Sequence, residues 1–561
     1  MKKLIWVLAL AAMLLACAVG CGTNSPGTED SGTAAKTEEQ TEAPQTDILF
    51  EKGKTSPYVI IIGKNADKKE EAAASTLRNA FRQYLGLELP VRIDLILESA
   101  GYSESPYEIL VGSTSRGDAM EWSEDTRVGD WYIGKRGTKL LISGFSPEST
   151  VSAVDTFVER FLASANGTVK VTDSDAVTFR ATYAIPSFTV DGVEQRALTV
   201  VWSNRAKLTE FSAAILADRL STYYGYPTEL LPSTQAGTGH RLVLATVTDV
   251  PELASLLGNA DAVLTAQNGN PMLLAKSLGA LADAARRLAG DLETETTALQ
   301  LESGKVARTY EASDTLMSMS FNLYGHTDFD TRKNAVLDVI ASRLPDTFGI
   351  QEGKDEWVTL FSGTLSGIYA CAGTGNQEAG ATESYNNLYY RIDKYELVES
   401  GTFWLSDTPE TPGSKFEESK RVRIATYALL KHRATGKQVL YVNTHLDNKS
   451  AAAREKQLVV LTRFISGYEA PCVLTGDFNS NPSTNLYRLV TSIMEDSRAR
   501  AAETTNAPTY NGLGSSSSVL DYCFFSEGRF DLLRYSVHTS LYQGSIYPSD
   551  HNAVLTEYRL W

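Results

Sequence analysis

The sequence predicts an α/β protein whose folded part consists of three successive α/β domains. Three observations predict this fold class. Strands and helices alternate in the same order twice between residues 51 and 300, apolar strands that end in polar residues recur after residue 312, and 43% of all residues are hydrophobic. About 510 residues follow the N-terminal segment, which is enough for three domains of ordinary size.

The N-terminus has the pattern of an export signal. A basic start, residues 1–3, precedes a 13-residue apolar run that is too short to span a bilayer. Cys17 and Cys21 each end a stretch that resembles a bacterial lipobox, in which the cysteine is lipidated after cleavage. We favour Cys21, with Cys17 as the alternative, because the polar tail begins directly after Cys21. An ordinary secretory signal with incidental cysteines is the competing interpretation.

We therefore predict a lipoprotein signal peptide at residues 1–21 and a disordered linker at residues 22–50. The linker is rich in Gly, Ser, Thr, Glu and Pro, and it has almost no apolar residue to bury. Together the two segments predict an exported protein that a lipid anchor holds on the outer face of a bacterial cell membrane.

Residues 51–182 and 190–300 contain two copies of one α/β pattern. Each copy is predicted as strand, helix, strand, hairpin and helix. In the first copy Ala73, Leu77 and Phe81 fall on one helical face. The strands are predicted at residues 58–63, 107–112, 131–134, 139–144, 198–202, 241–245, 262–265 and 272–275, and the helices at residues 66–85, 147–162, 209–224 and 277–289.

These two copies resemble the small non-catalytic α/β domain that precedes the barrel in several glycoside hydrolases. They contain no ordered set of acids or histidines, so we expect them to space the C-terminal domain from the membrane. Binding of a cell-surface glycan or a partner protein through residues 51–300 is the alternative role.

The C-terminal part is organised around residues 471–479. The apolar run at 472–475 predicts a buried strand, and Gly476 then lets the backbone bend. Asp477 and Asn479 follow two residues apart, so their side chains point the same way if the extended period continues. A carboxylate and an amide together can bind a hard cation or a phosphate. Taken alone, such a pair more simply fills a turn.

The same signal recurs at the ends of other apolar strands between residues 312 and 561. Independent turns would not supply a ligand-type residue at so many strand ends, so we expect these residues to converge on one site. They are Asn322, Glu352, Asn443, His445, Asp521, Asp550 and His551.

This ordered set of motifs (FN, QE, NTH, GDFN, LDY and SDH) resembles the endonuclease/exonuclease/phosphatase superfamily, whose fold is that of DNase I-like nucleases. Residues 401–409, followed by Arg423, are similar to a bacterial branch of that family. The resemblance covers residues 312–561. It implies a four-layer α/β sandwich, in which two packed mixed sheets lie between outer helices, with a divalent-metal site at one end.

The resemblance also implies a ligand set. Glu352, Asn322 and Asp550 would hold Mg²⁺ (or Mn²⁺), a hard cation that prefers oxygen ligands and binds substrate phosphate. Asp477 and Asn479 would complete the acidic pocket as catalytic residues. Such clustering costs Coulomb repulsion, which a bound cation relieves.

The two motif histidines would face the scissile phosphate from opposite sides. His551 would be the general base or a phosphate contact, oriented by Asp521. His445 would be the general acid or a donor to a phosphate oxygen, oriented by Glu383. The neighbouring residues 386–387 are asparagines where the family usually has apolar residues, which leaves the register of this acid open by a few positions.

The expected substrate is bounded by charge. Arg423 and Asn443 are the implied contacts of the substrate phosphate, and a surface ion pair is the alternative for Arg423. The formal net charge of the chain is −16, so the basic footprint of a tight duplex binder is not visible.

The sequence therefore predicts a cell-surface, metal-dependent phosphoesterase, with a phosphodiesterase or nuclease as the favoured kind. Its substrate would be a nucleic acid, a nucleotide or a phospholipid head group, hydrolysed by metal-assisted attack of water with a His/Asp pair. The alternative is a non-enzymatic surface binding or adhesion protein that uses the tandem α/β domains, with a degenerate catalytic fold.

Overall fold

The structure is a computed structural model that describes residues 47–95, 104–235 and 239–561. The predicted signal peptide, both candidate lipidated cysteines and nearly all of the predicted linker lie outside these ranges. None of the helices in the described ranges combines the length and the apolar character needed to cross a membrane.

The first α/β unit has a six-stranded sheet with two helices. Its strands are β1 (Ile48–Glu51), β2 (Val59–Ile62), β3 (Val91–Ile93), β4 (Glu108–Val111), β5 (Trp131–Arg136), β6 (Lys139–Gly144), β7 (Thr168–Val171) and β8 (Val177–Phe179), and its helices are α1 (Lys68–Leu85) and α2 (Pro147–Phe157). The sheet order is β3-β2-β4-β6-β5-β8, and β1 pairs separately with β7. Along the chain, the order β2, α1, β4, the β5–β6 hairpin and α2 agrees with the predicted strand–helix–strand–hairpin–helix pattern.

Helix α1 shows why this segment folds as predicted. Asp67 caps its N-terminus by accepting a hydrogen bond from the Lys69 amide. The Glu70 carboxylate in turn accepts a hydrogen bond from the Asp67 amide. Gly86 ends the helix in the left-handed conformation. The predicted apolar face is buried against the sheet.

The predicted linker ends three residues too late. Residues 48–50 belong to strand β1, and the side chains of Ile48 and Phe50 are buried in the core of the first unit. The three apolar residues Ile48, Leu49 and Phe50 are a short strand signal at the end of a long polar segment.

The second α/β unit repeats the same sheet order. Its strands are β9 (Phe188–Val190), β10 (Val193–Glu194), β11 (Thr199–Trp202), β12 (Glu229–Pro232), β13 (Arg241–Thr246), β14 (Ala262–Gln267), β15 (Asn270–Ala275), β16 (Leu299–Leu301) and β17 (Val306–Tyr310), and its helices are α3 (Leu208–Tyr224) and α4 (Leu278–Thr294). The six-stranded order β12-β11-β13-β15-β14-β17 matches that of the first unit strand for strand. The predicted end at residue 300 is too early, because β17 pairs with β14 and Tyr310 is buried in this core.

The C-terminal part is a four-layer α/β sandwich, as predicted. Its strands are β18 (Leu316–Asn322), β19 (Thr347–Gln351), β20 (Tyr369–Ala372), β21 (Leu388–Arg391), β22 (Tyr395–Trp404), β23 (Ile424–His432), β24 (Gln438–His445), β25 (Cys472–Asp477), β26 (Met494–Asp496), β27 (Glu503–Thr504), β28 (Asp521–Ser526), β29 (Phe530–Val537) and β30 (Val554–Leu560). Its helices are α5 (Phe329–Arg343), α6 (Asp355–Thr364), α7 (Ala451–Ile465), α8 (Asn485–Thr491) and α9 (Ser497–Arg500).

The two sheets of this sandwich pack face to face. Their orders are β20-β21-β19-β18-β30-β29-β27 and β22-β23-β24-β25-β28-β26. A buried cluster with Tyr441, Val473, Val554 and Tyr558 fills the space between the sheets. Helices α5 and α6 cover the outer face of the first sheet, and α7 and α8 cover that of the second. Each sheet has a central parallel pair, β18–β19 and β24–β25, whose carboxyl ends carry the predicted motifs.

The second α/β unit and the C-terminal sandwich share a hydrophobic core. This core combines Ala206, Leu208, Leu278 and Ala282 of the second unit with sandwich residues such as Phe321, Ile340 and Trp357. A hydrogen bond beside this core also joins the two parts. Asp393 accepts a hydrogen bond from the Ser277 hydroxyl at 3.0 Å and pairs with the buried Arg391, whose Nη2 lies 2.6 Å from Oδ2. A Cβ at Gly279 would lie 2.5 Å from the Asp393 carboxylate, so this approach requires glycine.

We expect Asp393→Asn to lower the free energy of unfolding by about 3 kcal/mol, because Arg391 would remain buried without its counter-charge. The measurement is the denaturant midpoint of the folded protein. Glu302→Gln removes one partner of the exposed Lys305–Glu302 pair and should change stability by less than about 1 kcal/mol. Equal effects of the two substitutions would show that the buried Arg391–Asp393 pair contributes no more to stability than an exposed ion pair does.

Candidate active site

The predicted motif residues meet at one end of the two packed sheets. Asn322 ends β18, and Glu352 directly follows β19, its parallel neighbour. His445 and Asp477 are register partners at the ends of β24 and β25, and Asp477 is also the partner of Asp521 at the start of β28. The convergence follows from topology, because parallel strands end at the same edge of a sheet.

Asn322 connects the two sheets at this site. Its Nδ2 donates to Asp477 Oδ2 at 3.0 Å and contacts Glu352 Oε1 at 3.4 Å. Its Oδ1 accepts from the Tyr324 amide, and its main-chain carbonyl accepts from the Ser549 hydroxyl at 2.7 Å. The side chain is completely buried. One amide therefore fixes the distance between two carboxylates from different sheets.

Two residues of the site have a left-handed backbone. Glu352 has φ 55° and Asn479 has φ 48°. This conformation is strained for a side chain with a Cβ, and it marks the points where the chain turns out of β19 and β25. At Asn479 the turn is closed by a hydrogen bond from its amide to Asp477 Oδ1 at 2.8 Å.

His551 is held by Asp521. Its Nδ1 lies 2.9 Å from Asp521 Oδ2, and its Nε2 lies 3.8 Å from Asp477 Oδ2. Burial disfavours a charge on the imidazole, but the charges of Asp521, Asp477 and Asp550 outweigh it and raise the pKa of His551 to about 10. The predicted His551–Asp521 pair is therefore present, and it favours a cationic imidazole near pH 7.

Thr509 fixes the Asp521 carboxylate from the other side. The Thr509 hydroxyl accepts hydrogen bonds from the amides of Leu520 and Asp521 at 2.9 and 3.0 Å. Both lone pairs of the hydroxyl are then occupied, so its single proton is directed to Asp521 Oδ2 at 2.7 Å. Oδ2 thus accepts from Thr509 as well as from His551, so both donors hold the carboxylate in place.

His445 lies on the opposite side of Asp477. Its Nε2 is 2.9 Å from Asn479 Nδ2 and 3.5 Å from Asp477 Oδ2. Burial, followed by the charges of Arg423 and His551, lowers the pKa of His445 well below its usual range. The imidazole is therefore neutral near pH 7, which suits a hydrogen bond to a phosphate oxygen better than general-acid catalysis.

Two predicted roles are wrong in this structure. Glu383 does not orient His445: its Oε1 accepts from the Gln377 amide at 2.6 Å, and the carboxylate packs against Gly375. Within the described residues, the carboxylate that pairs with His445 is Asp477. The acid before β21 therefore braces its own loop, a contact that its sequence position could not reveal.

Asn443 does not face a substrate. The side chain is completely buried, its Oδ1 accepts from Gln351 Nε2 at 2.7 Å, and its Nδ2 donates to the Ile350 carbonyl at 2.7 Å. All of its polar atoms are occupied by protein groups, so the predicted phosphate contact is replaced by a structural role. Asn443 joins β24 of one sheet to β19 of the other.

The site is crowded with buried carboxylates. Burial and the charge of Asp521 raise the pKa of Asp477 above its usual range. Burial and the charge of Glu352 raise the pKa of Asp550 to about 6, against the opposing charge of His551. One ligand atom each of Asp477, Asp521 and His551 lies within 4.8 Å of the others, so this group could hold a metal ion. The excess of negative charge and oxygen donors fits a divalent cation.

Sequence reasoning missed the residues that support the site. Residues 509–512 resemble a substrate-side loop of the family, and this resemblance does not indicate that the Thr509 hydroxyl binds Asp521. Arg332 on α5 is buried and donates through Nη1 to the carbonyls of Leu323 and Pro548 at 3.0 and 2.7 Å, which ties the chain after Asn322 to the chain before Asp550. An arginine on an amphipathic helix carries no pattern that could have predicted this contact.

The two packed sheets bring buried carboxylates and imidazoles together at one end, and these are groups that can hydrolyse phosphoric esters. Residues 319–551 match the model described as the Endonuclease/Exonuclease/phosphatase family.

Relatives of this domain are similar at a moderate level. Nocturnin from Xenopus laevis is 25% identical over 224 residues, which are 36% of this chain and 55% of nocturnin, so the chain spans about half the length of that relative. A solved endonuclease/exonuclease/phosphatase from Bacteroides vulgatus is 28% identical and covers 44% of this chain and 99% of its own, with a TM-score of 0.42. A mannosyl-6-phosphatase from Bacteroides thetaiotaomicron is 26% identical and covers 43% of this chain and 99% of its own, with a TM-score of 0.40.

We expect Thr509→Val to lower kcat/KM for a phosphate ester about 10- to 100-fold, because Asp521 would lose its second donor while the side-chain volume is kept. Thr509→Ser retains the hydroxyl and should restore most of the activity. The measurement is steady-state hydrolysis of p-nitrophenyl phosphate, with the melting temperature of each variant as a control for folding. A valine variant that is as active as the serine variant would contradict this role.

Proposed function

We propose that the protein is a metal-dependent phosphoesterase that cleaves its substrate by attack of water on phosphorus. One observation carries the proposal. Hydrogen bonds and close charge contacts join residues from six separate motifs into one cluster: Glu352, Asn322, Asp477, His445, Asp521 and His551. This cluster supplies an oxygen-rich cation site beside a carboxylate with a raised pKa and an imidazole that favours its cationic form.

The carboxylates of Glu352 and Asp550 would hold Mg²⁺ or Mn²⁺. Asn322, whose Oδ1 already accepts from the Tyr324 amide, would position Glu352 through its Nδ2. A bound divalent cation would polarise a phosphoryl oxygen and neutralise charge there. The fit is supported by the raised pKa of Asp550, which comes chiefly from burial and then from the charge of Glu352, because a bound cation would lower both costs. Mg²⁺ also accepts a site with few protein carboxylates, because it retains several of its waters.

The protein groups divide the remaining work. Asp477 has a raised pKa, which suits a carboxylate that takes the proton of the attacking water. His551 favours the cationic form and can donate a hydrogen bond to a phosphoryl oxygen. His445 is neutral and can contact the phosphate from the other side of Asp477. The oxygen of water then bonds to phosphorus while the bond from phosphorus to the ester oxygen breaks, and the ester oxygen leaves with the proton that Asp477 took from water.

Arg423 is the best-placed additional phosphate ligand. It lines the cavity next to Glu352, and its buried Nε has no hydrogen-bond partner in the described part of the chain. A buried donor without a partner is costly, and a phosphate oxygen would satisfy it. The predicted surface ion pair for this residue is not formed among the described residues, which supports the role of a substrate contact.

The proposed setting is the outer face of a bacterial membrane, with Cys21 or Cys17 as the lipidated residue. The support for this part is the sequence pattern of residues 1–21 alone. In that setting the substrate would be an extracellular nucleic acid, nucleotide or phospholipid head group. The alternative of a non-enzymatic binding protein requires a degenerate site, whereas Glu352, Asp477 and His551 are all in place. We therefore favour the enzyme.

We expect Asp477→Asn to lower kcat for p-nitrophenyl phosphate or bis(p-nitrophenyl) phosphate at least about 100-fold, because the carboxylate that accepts the proton is lost. Asp531→Asn, an exposed aspartate on β29, is the matched control and should have the activity of the unaltered protein. Full activity of the Asp477 variant would refute the site assignment.

We expect treatment with EDTA to abolish hydrolysis of both ester substrates, and added Mg²⁺ or Mn²⁺ to restore it, because the buried carboxylates require a counter-cation. Glu352→Gln should raise the metal concentration needed for half-maximal activity. Hydrolysis that persists after EDTA and extensive dialysis would contradict metal dependence.

A further inference from the structure

A cavity of about 530 Å³ opens directly beside Glu352. The segment around residues 376–384 lines it, together with residues 421–424, which lead into β23. The size exceeds what a single phosphoryl group needs, so the cavity has room for a part of the substrate that is not cleaved.

Cationic side chains surround this space. Lys354, Arg421 and Arg423 line it, together with the carboxylates of Glu352 and Glu378. Glu352 belongs to the proposed cation site, so its charge is committed there. Glu378 is then the one remaining lining carboxylate for three cations, and it lies 3.7 Å from Arg421, which is a weak contact. Lys354 is bound by main-chain carbonyls, chiefly that of Glu383 at 2.9 Å.

The cavity is also poor in aromatic groups. Its described lining contains no Phe, Tyr or Trp, and the His326 imidazole is its one aromatic ring. Nucleobases are usually held by stacking on aromatic side chains. The polar groups that do line the cavity, such as Ser384 and Asn448, are instead suited to hydroxyl groups.

Building on the phosphoesterase function proposed above, we infer that this cavity binds a second phosphate on a compact, hydroxyl-rich substrate such as a sugar bisphosphate. Arg421 and Lys354 would bind the phosphate that is retained, while the phosphate beside Glu352 and Asp477 is cleaved. The oxygen of water bonds to that phosphorus, and the ester oxygen leaves with a proton. The products are inorganic phosphate and the sugar monophosphate.

The test compares matched substrates. Fructose 1,6-bisphosphate, fructose 6-phosphate and adenosine 3′,5′-bisphosphate are each assayed for phosphate release by the full protein with Mg²⁺, at low ionic strength. We expect kcat/KM for the sugar bisphosphate to exceed that for the sugar monophosphate at least about 10-fold, since charge-assisted hydrogen bonds are strong. The sugar bisphosphate should also be preferred to the adenosine bisphosphate.

Arg421→Met should lower the ratio of kcat/KM values for sugar bisphosphate and monophosphate toward one. The arginine side chain is 57% exposed, so the substitution is compatible with folding. Arg463→Met replaces an exposed arginine on α7 and should leave the ratio as it is in the unaltered protein. Lys354→Met is a second probe of the same charge, checked by its melting temperature.

The outcomes separate this inference from the function on which it rests. No hydrolysis of any ester, including p-nitrophenyl phosphate, would refute the phosphoesterase itself. Hydrolysis of p-nitrophenyl phosphate with equal kcat/KM values for the sugar monophosphate and bisphosphate would refute the second phosphate site alone. A preference for the adenosine bisphosphate would refute the hydroxyl-rich scaffold, and an unchanged ratio in Arg421→Met would refute the assigned residues.

Discussion

The repulsion between buried carboxylates is the constraint on which the rest of the site depends. Glu352, Asp477, Asp521 and Asp550 come from different strands and loops, and the topology forces them to one end of two packed sheets. Hydrogen-bond donors that point at the carboxylates offset part of this repulsion. Asn322 donates to two of the carboxylates, and His551 with Thr509 saturates one oxygen of a third. These donors leave an excess of negative charge at the site, and a divalent cation would neutralise it.

The sequence predicted the parts of this arrangement that strand order determines. An apolar strand that ends in Asn, Glu, His or Asp carries its own evidence, and two parallel strands bring such ends together. The position of Glu352 follows from this rule. The His551–Asp521 pair and the four-layer sandwich were instead implied by the resemblance of the motifs to a known family.

Contacts between loops and buried side chains could not be predicted in this way. Asn443 ends an apolar strand just as Asn322 does, yet it points between the sheets and binds Gln351 and main-chain carbonyls. Glu383 precedes a strand, and the fold of its loop directs it to Gln377 instead of His445. In both cases the residue type and spacing are compatible with either role, and only the packing of a second segment decides. The predicted boundaries of the two repeats were wrong for a related reason, because β1 and β17 are defined by pairing with strands that are distant in sequence.

The shared core changes what the second α/β unit means for the enzyme. The two units have the same strand order, but the second one covers the outer helices of the sandwich with Leu208, Leu278 and Ala282. The smallest fragment with a closed catalytic core should therefore begin near Ile185, where that unit starts, and not at residue 312. A fragment that begins at the boundary of the family match would expose the apolar residues that the second unit covers. Insolubility of such a fragment would give no information about the active site.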